Sequence, residues 1–296
     1  MNALANILGP RARFGEPLAS HTTWGLGGPA WCLATARDAG EAAAVLAACR
    51  RAGCPVKALG RGSNLLVAGG GYPGVMLKLA GSLAGLKASG QVIKAGGGAH
   101  LSAAVKLASR LGLAGLEWAA GIPGSVGGAV ATNAGAHGSD MAAVAAEITL
   151  LGAEGEILTL AGAELPAAYR RRELPEGALV LGASLALKPS DPAAVAARVA
   201  EFLAARKRTQ PLGAKTAGSV FKNPPGDYAG RLIEAAGLKG FSLGGAQVSR
   251  KHANFIVNRG GASPAEVLAL LETVRRAVTE RFGVELEPEV EVVGDV

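Results

Sequence analysis

The chain contains a glycine-rich stretch, Gly121-Ile-Pro-Gly-Ser-Val-Gly-Gly-Ala129, which is followed closely by Asn133-Ala-Gly135. Because glycine has no Cβ, a ligand can approach the main chain closely at such positions. The apolar residues between the glycines suit a flat or extended ligand that lies against the main chain. A pair of structural turns would give the same pattern, so the residues alone leave both interpretations open.

A second glycine loop, Leu59-Gly-Arg-Gly-Ser-Asn-Leu-Leu-Val67, has the same character. Consecutive N–H groups in such a turn can form a nest for an anion, and Arg61 adds positive charge. Ser63 and Asn64 add side-chain hydrogen-bonding groups. We therefore predict that ligand meets bare main chain at Gly62 in this loop and at Gly124 in the first.

The composition limits the class of protein. The 296 residues include 44 glycines, about twice the usual share of ~7%. A hydrophobic fraction of 49% excludes disorder as the main state, and the length suggests about two domains. The aromatic fraction of 4% argues against broad base-stacking surfaces, and the net charge of +7 favours an anionic ligand.

The cysteines and histidines indicate neither disulfides nor metal. The three cysteines form no C-x-x-C pair, which favours a reduced, cytosolic setting. The four histidines are scattered without metal-ligand spacing, so we predict no metal site. The uncharged span 118–139 is too rich in glycine for a membrane helix. We predict a cytoplasmic protein with no membrane or nucleic-acid partner.

The predicted elements are those of an α+β protein, because most strands follow each other through short turns. Strand-like runs occupy 54–59, 64–68, 74–79, 91–95, 146–151, 156–160 and 178–187. A helix is predicted over about 99–111, and Asp38 with Glu41 resembles a capping box that starts another.

The stretch Lys188-Pro-Ser-Asp-Pro192 breaks both periodicities and predicts a domain boundary after residue 190. A helix is expected from Pro192 to about Arg208. The last long helix has a capping box at Ser263 and Glu266 and a left-handed cap at Gly283.

Two further glycine patterns resemble dinucleotide-binding fingerprints. They are Gly25-Leu-Gly-Gly-Pro-Ala30 and Gly69-Gly-Gly-Tyr-Pro-Gly74. The dinucleotide mechanism needs a helix N-terminus directly after the loop, and neither pattern has one. We interpret both as hairpin turns.

The few side-chain amides fall in motif-like segments. Asn64, Asn133, Asn223 and Gln247 each lie in or beside such a segment. Their position suggests ligand contact, although amides also favour turns because they bond to nearby backbone.

Six pieces in a fixed order resemble UDP-N-acetylenolpyruvoylglucosamine reductases, the MurB family, over nearly the whole chain. Besides the two glycine loops, the resemblance rests on later segments in the second half of the chain. These are Tyr169-Arg170, Ala217-Gly-Ser-Val-Phe-Lys-Asn-Pro224, Gly244-Gly-Ala-Gln-Val-Ser249 with Lys251-His-Ala-Asn-Phe255, and Leu286-Glu-Pro-Glu-Val290.

The resemblance implies an FAD-binding domain of the vanillyl-alcohol-oxidase type in residues 1–190, with two subdomains, and an α+β substrate-binding domain in 191–296. The chain is similar to the shorter type of the family. The implied reaction is reduction of UDP-N-acetylglucosamine enolpyruvate to UDP-N-acetylmuramate by NADPH in peptidoglycan precursor synthesis. FAD is expected to be non-covalent, because the glycine loops contain no cysteine for attachment, and the protein is expected to be a monomer or weak oligomer.

The resemblance also implies the site residues. The implied catalytic residues are Arg170, Ser219 and Glu289, and the implied substrate contacts are Tyr169, Lys222, Asn223 and Gln247. The implied cofactor contacts are Gly60, Arg61, Gly62, Ser63, Asn64, Leu65, Gly121, Ile122, Gly124, Ser125, Gly127, Gly128, Ala129, Asn133 and Gly135.

The chemistry gives each catalytic residue a role. Arg170 would stabilise the charge that hydride addition leaves on the α-carbon and carboxylate. Ser219 would protonate the α-carbon, with Lys222 as a candidate neighbour that stabilises its alkoxide. Glu289 would help only in its protonated form. The spacing of Glu285, Glu287, Glu289 and Glu291 would place all four on one strand face beside something cationic.

The chain departs from the family pattern at two places, with His137 where Tyr is common and Arg171-Arg172 after Arg170 where a small polar residue often follows. Two alternatives remain open at this point. One is a related FAD oxidoreductase with a different substrate, and the other is a non-redox nucleotide-binding protein.

Overall fold

The computed structural model describes residues 2–294. Its α-helices are α1 (Asn2–Leu8), α2 (Ala39–Arg51), α3 (Leu101–Arg110), α4 (Val126–Ala131), α5 (Pro192–Thr209), α6 (Ala229–Ala235) and α7 (Pro264–Phe282). The first ten strands are β1 (Ala12–Pro17), β2 (Pro29–Ala36), β3 (Val56–Ala58), β4 (Leu65–Val67), β5 (Tyr72–Leu79), β6 (Leu86–Ser89), β7 (Val92–Gly96), β8 (Leu113–Ala114), β9 (Gly135–Ala136) and β10 (Ser139–Asp140).

The remaining strands follow in chain order. They are β11 (Ala145–Leu151), β12 (Ile157–Ala161), β13 (Ala167–Ala168), β14 (Arg171–Arg172), β15 (Leu179–Ala186), β16 (Lys188–Pro189), β17 (Ser242–Leu243), β18 (Ala246–Val248), β19 (Ile256–Asn258) and β20 (Glu291–Val293). The predicted strand runs and the helix near 99–111 are confirmed to within a few residues at their ends.

The chain forms two compact units, each assembled from three stretches. The first unit comprises Met1–Phe14, Cys32–Gly60 and Gly74–Ala205, and the second comprises Gly15–Trp31, Arg61–Pro73 and Arg206–Val296. The predicted division after residue 190 is a single cut, whereas these units interleave along the chain. The assignment of residues 1–190 to FAD binding and of residues 191–296 to substrate binding stays a prediction.

The first unit has two hydrophobic cores. One lies beneath the antiparallel sheet β12-β11-β15-β7-β6, where Ile93, Ile148 and Leu185 pack with α3 and α4. The other joins α1 and α2 to the four-stranded sheet β1-β2-β5-β3, which lies mainly in this unit. Strand β15 is buried on both faces, because Leu179 and Leu181 belong to the second core whereas Val180 and Ala183 belong to the first.

The second unit packs α6 and α7 against the sheet β17-β18-β19. Trp24 from the early part of the chain is fully buried in this core, and its Nε1 donates to the Ile256 carbonyl at 2.9 Å. The parallel pair β4–β20 joins Leu65–Val67 to Glu291–Val293. Sequence periodicity did not predict that these early segments fold with the C-terminal residues.

The predicted caps of α7 are confirmed. Ser263 and Glu266 form a reciprocal capping box, and Gly283 adopts φ +67° beyond the last turn. The box predicted for α2 is only half formed. Asp38 accepts from the Glu41 N–H at 2.9 Å, but the Glu41 carboxylate accepts from the Arg37 N–H instead of that of Asp38.

Glu41 also forms an ion pair with Arg11. The hydrogen bond from Arg11, together with that from the Arg37 N–H, lowers the pKa of Glu41 to about 2. The carboxylate that sequence analysis assigned to capping therefore also ties the start of β1 to the start of α2.

Of the two fingerprint-like glycine patterns, Gly25–Ala30 lies at the end of the connection between the neighbouring strands β1 and β2, and nothing contradicts its interpretation as a turn between strands. For Gly69–Gly74 the interpretation as a hairpin turn is wrong. Gly69–Gly71 connects β4 and β5, which belong to different sheets. The patterns also meet each other: a Cβ on Gly28 would lie 2.2 Å from the Gly69 carbonyl oxygen, and one on Gly71 would lie 2.0 Å from the Pro29 oxygen. Their glycines permit two backbones to cross, with Gly28 N–H donating to the Ala68 carbonyl at 3.0 Å.

We expect Gly28→Ala to destabilise the protein strongly, by about 3 kcal/mol, since the new methyl group would overlap main chain that cannot move away. Gly69→Ala is the matched control from the same crossing, because a Cβ there meets nothing within 4 Å. Its effect should stay within about 0.5 kcal/mol. Urea unfolding followed by circular dichroism measures both. Similar midpoints for the two variants would contradict the crossing.

Candidate functional site

The loop 121–129 of the first unit runs from a short 3₁₀ turn into α4. Gly121 and Gly124 adopt φ of +75° and +156°, conformations that L side chains rarely take. Gly121 and Gly128 are exposed, whereas Val126, Gly127 and the alanine that ends the motif are buried. The loop therefore presents bare main chain on one side and packs on the other.

Ser125 has a structural task in this loop. It is the N-cap of α4, and its hydroxyl accepts from the Gly128 N–H at 3.2 Å. A Cβ on Gly60 would lie 2.6 Å from the same hydroxyl oxygen, so that glycine is needed for close packing against Ser125.

Three consecutive glycines that sequence analysis did not single out, Gly96–Gly98, support this loop. Val126 N–H donates to the Ala99 carbonyl and Gly127 N–H to the Gly97 carbonyl, both at 2.8 Å. A Cβ on Gly97 would lie 2.2 Å from the Val180 oxygen. The run of glycines between a strand and a helix was the available signal, and its cause is this close backbone contact.

Asn133 uses its side chain inside the protein. It is 1% exposed and has φ +43°. Its Nδ2 donates to Asp140 Oδ2 and to the Ala168 carbonyl, both at 3.0 Å, and its Oδ1 accepts from the Ala142 N–H at 2.9 Å. Both amide hydrogens are thus bonded to protein, which explains the residue without a ligand.

The hairpin β13–β14 carries Tyr169 and Arg170 at its two-residue tip. Arg170 has φ +58°, in the left-handed region, and its Nη1 donates to the Gly135 carbonyl at 2.7 Å. Its guanidinium carbon lies 5.3 Å from the centroid of the Tyr169 ring, which is 52% exposed. Strained backbone of this kind persists where surrounding structure fixes it, and it clusters at functional sites.

Gly135, which follows the loop 121–129 and α4, contacts this hairpin. A Cβ on it would lie 2.7 Å from the Ser139 oxygen of the paired strand β10. The missing side chain therefore serves packing, while its carbonyl holds Arg170.

The two departures from the family pattern both have structural partners. His137 stacks on Phe202 with ring centroids 4.1 Å apart, and Arg198 covers the same ring at 4.3 Å. Arg172 is 5% exposed, and its Nη1 donates to the carbonyls of Gly162 and Leu165. Burial lowers the pKa of Arg172, while the charge of Asp140 opposes this.

In the second unit the loop 61–65 is fixed by its neighbours. Gly62 is buried at φ +59°, and a Cβ on it would lie 2.2 Å from the His21 carbonyl oxygen. Its own carbonyl accepts from the Thr23 N–H at 3.0 Å. Two backbones meet at Gly62, so a substitution there would affect folding as well, and its contact with ligand stays a prediction.

Asn64 and Leu65 join this loop to the segment that contains Glu289. Asn64 Nδ2 donates to the Glu289 carbonyl and the Glu291 N–H donates to the Asn64 carbonyl, both at 3.0 Å. Leu65 then pairs with Glu291 in the parallel ladder. Arg61 is exposed, and Ser63 is half-buried.

Ser219 lies in an extended strip, residues 219–221, between two other segments. Ser219 is bridged to Phe255 on one side, and Phe221 is bridged to Pro288 on the other. Val220 carbonyl accepts from the Glu289 N–H at 2.8 Å. The strip therefore brings the main chains of Ser219 and Glu289 onto neighbouring segments.

Asn254 is a residue of the site region that sequence analysis did not assign. It is 3% exposed, its Oδ1 accepts from the Phe221 N–H, and its Nδ2 donates to the Phe221 carbonyl at 2.8 Å. Its carbonyl accepts from the Val220 N–H at 2.9 Å. Its position in the segment Lys251–Phe255 was the only signal.

The expected row of four glutamates on one strand is wrong, because regular strand begins only at Glu291. Glu285 lies 3.6 Å from Arg275, and Glu287 pairs with Lys222, so each has its own cation. Glu289 is half-buried, whereas the other three are exposed. Because the Lys222 ammonium is bonded to Glu287, its expected role beside Ser219 is not supported.

The other two expected substrate contacts also bond within the protein. Asn223 Oδ1 accepts from the Ala229 N–H at the start of α6, at 3.1 Å. Gln247 is 7% exposed, and its Nε2 donates to the Gly240 carbonyl at 3.0 Å and to Ser242 Oγ at 2.8 Å. These bonds stabilise the neighbouring loops. Substrate contact by Asn223 and Gln247 stays a prediction.

Comparison with known proteins connects both units to one family. A "FAD binding domain" family matches residues 30–161, and the family "UDP-N-acetylenolpyruvoylglucosamine reductase, C-terminal domain" matches residues 210–293. A UDP-N-acetylenolpyruvoylglucosamine reductase of Heliobacterium modesticaldum is 47% identical over 282 residues, which is 95% of this chain and 90% of that protein. The chain belongs to the UDP-N-acetylenolpyruvoylglucosamine reductase family.

Two further relatives agree. Reductase 2 of Symbiobacterium thermophilum is 48% identical over 96% of this chain and 92% of its own length. The crystal structure of the Thermus caldophilus reductase (MurB) superposes with a TM-score of 0.82 at 40% identity, covering 94% of this chain and 97% of that one. The predicted family is confirmed, and so is the α+β fold class with an FAD-binding domain before the family's C-terminal domain.

The residues of this reductase fit a flavin cofactor. In the loop 121–129 the glycines Gly121 and Gly128 are exposed, and Gly60 is exposed at the start of the other glycine loop, so each loop offers main chain without a side chain to a cofactor. FAD as cofactor is confirmed by the matched domain. The contacts of individual residues with FAD stay predictions, and so does its non-covalent attachment.

Within residues 2–294 no cluster of three or more His, Cys, Asp or Glu side chains could hold a metal ion. Over the same residues, no helix is long and apolar enough to span a membrane.

Proposed function

We propose that this reductase uses Arg170, Ser219 and Glu289 to convert UDP-N-acetylglucosamine enolpyruvate into UDP-N-acetylmuramate. FAD-dependent reduction with NADPH is the activity of the family to which the chain belongs. When bound, FAD supplies the hydride that adds to the β-carbon of the enolpyruvyl ether. Two hydrogen bonds support the roles of Ser219 and Glu289. One joins Asn64, in a glycine loop expected to bind flavin, to the Glu289 carbonyl, and the other joins the Glu289 N–H to the strip that contains Ser219.

Arg170 is proposed to bind the substrate carboxylate. A guanidinium keeps its charge at all relevant pH values and presents a planar fork that matches a carboxylate. The bond to the Gly135 carbonyl and the left-handed backbone orient the side chain before substrate arrives. Preorganised positive charge of this kind stabilises the negative charge that develops on the α-carbon and carboxylate.

Ser219 is proposed to give its hydroxyl proton to the α-carbon, and Glu289 is proposed to act in the same step in protonated form. Their main chains are fixed relative to each other through Val220, as a concerted role requires. The structure does not support Lys222 as the group that stabilises the serine alkoxide.

Tyr169 and Lys222 are proposed as substrate contacts. The Tyr169 ring is exposed beside Arg170, and Lys222 provides a half-buried cation for an anionic group. Asn223 and Gln247 are proposed as further substrate contacts, and Asn223 Oδ1 and Gln247 Nε2 also bond to neighbouring loops. A cytoplasmic location, a monomeric or weakly oligomeric state and the absence of nucleic-acid and membrane partners remain predictions.

The test of this function is reoxidation of the bound flavin. We expect the purified protein to show flavin absorption, to be bleached by NADPH, and to regain its colour when UDP-N-acetylglucosamine enolpyruvate is added. A plain hydroxy acid is the control and should leave the flavin reduced. Protein without a flavin band would support the non-redox nucleotide-binding alternative. Equal reoxidation by the control would support a related FAD oxidoreductase with another substrate.

A further inference from the structure

We propose that Asn64 is a positioning residue that couples the flavin loop 61–65 to Glu289. The proposal rests on the proposed function, since it takes Glu289 as catalytic and the loop as flavin-binding. It adds a connection between them that neither role requires. A movement of the loop is passed directly to the backbone of Glu289.

The contacts of Glu289 carry this inference. Both of its main-chain polar groups are bonded, its N–H to the Val220 carbonyl at 2.8 Å and its carbonyl to Asn64 Nδ2 at 3.0 Å. One bond faces the strip of Ser219 and the other faces the flavin loop. The backbone position of Glu289 is therefore set from these two sides.

The amide of Asn64 replaces a bond that the sheet does not provide. The parallel ladder between β4 and β20 starts only at the pair Leu65–Glu291, so it ends before it reaches Glu289. A short side-chain amide can imitate a backbone N–H, and Asn64 uses its own to extend the ladder by one bond. Its carbonyl meanwhile accepts from the Glu291 N–H at 3.0 Å, so that Asn64 holds both ends of the segment 289–291.

The loop itself is held by contacts with neighbouring backbone. Gly62 is in contact with the backbone of His21 and Thr22, and its carbonyl is bonded to the Thr23 N–H. Asn64 follows two residues later, directly after Ser63. A flavin that orders residues 61–63 would accordingly order Asn64 and, through it, the backbone of Glu289.

Hydrogen exchange tests the coupling without enzymatic turnover. We expect amide exchange in a peptide covering residues 286–293 to slow when FAD is added back to flavin-free wild-type protein. In Asn64→Asp, where the new carboxylate cannot donate to the Glu289 carbonyl, this FAD-dependent protection should be lost. Wild-type protein whose 286–293 segment exchanges at the same rate with and without FAD would overturn the coupling, whatever the variant does.

Stopped-flow kinetics at saturating FAD provides the second measurement. In Asn64→Asp, reduction of the flavin by NADPH should stay within about threefold of wild type, and reoxidation by the enolpyruvyl substrate should slow by about 10–100-fold with an altered pH profile. If saturating FAD restores reoxidation, Asn64 is only a cofactor ligand and the proposal fails. Wild-type protein that is not reoxidised at all would instead refute the proposed function, while the exchange experiment still decides the coupling.

Asn258→Asp is the matched control. Asn258 lies in the same unit, its Nδ2 donates to the Trp24 carbonyl at 3.0 Å, and its Oδ1 accepts from the Gly260 N–H at 2.9 Å. The substitution removes the same kind of donor and keeps the acceptor, so it should lower stability and leave both half-reactions at their wild-type rates. Equal slowing of reoxidation in both variants would reduce the role of Asn64 to general stability.

Discussion

Ser219→Ala is expected to leave the reduction of flavin by NADPH nearly unchanged and to slow reoxidation by the enolpyruvyl substrate by ~10²–10⁴-fold, the usual contribution of a general acid. The substitution removes only a hydroxyl from a strip that is held through its main chain. Val220 is bonded to Asn254 and to Glu289, and neither bond involves the serine side chain. The loss should therefore appear in one half-reaction and not in stability.

Stopped-flow measurement of each half-reaction shows whether Ser219→Ala slows only reoxidation. Ser263→Ala is a suitable contrast, since Ser263 caps α7 and its loss should cost about 1 kcal/mol of unfolding free energy while both half-reactions persist. Equal losses in the two half-reactions for Ser219→Ala would mean that the residue shapes the site, and another acid would have to supply the proton.

Arg170→Ala and Arg170→Gly are both expected to slow reoxidation by ~10²–10³-fold, because each removes the positive charge that stabilises the developing anion. They should differ in stability. Position 170 has φ +58°, where a Cβ costs about 1–2 kcal/mol. Glycine relieves that cost, although it adds conformational freedom to the unfolded chain. The net expectation is that Arg170→Gly is about 1 kcal/mol more stable than Arg170→Ala at equal activity.

Reoxidation rates and urea unfolding of the two variants test this pair of expectations. Arg171→Ala is the matched control: Arg171 is the next residue of the hairpin, its side chain is 70% exposed, and its Nη2 lies 3.6 Å from Glu173 Oε1. It should keep the wild-type rate. Activity that survives in Arg170→Ala would remove Arg170 from the proposed chemistry, and equal stability of the two Arg170 variants would contradict the backbone strain.

If Arg170, Ser219 and Glu289 act as one unit, their effects on reoxidation should not add. A double variant of Ser219 and Glu289 should then be about as slow as the worse single variant. The main-chain link between these two residues through Val220 is the physical basis of this expectation.

Local signals in the sequence predicted local structure well. The capping box at Ser263, the left-handed Gly283 and the strand runs depend on residues within one turn or one strand, and all are present. The half-formed box at Asp38 differs because the Glu41 carboxylate bonds to the Arg37 N–H and to Arg11, which lies 30 residues away in the chain. A contact over this distance leaves no periodic trace in the sequence.

The glycine and amide motifs were recognised by sequence, but their individual tasks were not. Gly62, for example, accommodates the backbone of His21, while its expected contact with ligand stays a prediction. Likewise Asn133, Asn223 and Gln247 bond to protein. A glycine or amide has the same signature in either role, because close approach to main chain by a ligand and by another strand impose the same steric demand.

The pattern of strands, turns and helices by itself predicted an α+β protein, since such patterns depend on residue type and spacing. The resemblance of six ordered motifs to a known family implied a flavin-dependent reductase. Only the tertiary structure decided that Trp24 and the loop 61–65 fold with the C-terminal residues, and that Asn64 bonds to Glu289 across 225 positions of the chain. Hydrogen bonds between segments so far apart in the chain depend on how the core of the unit packs. No pattern within one segment specifies which other segment it will contact.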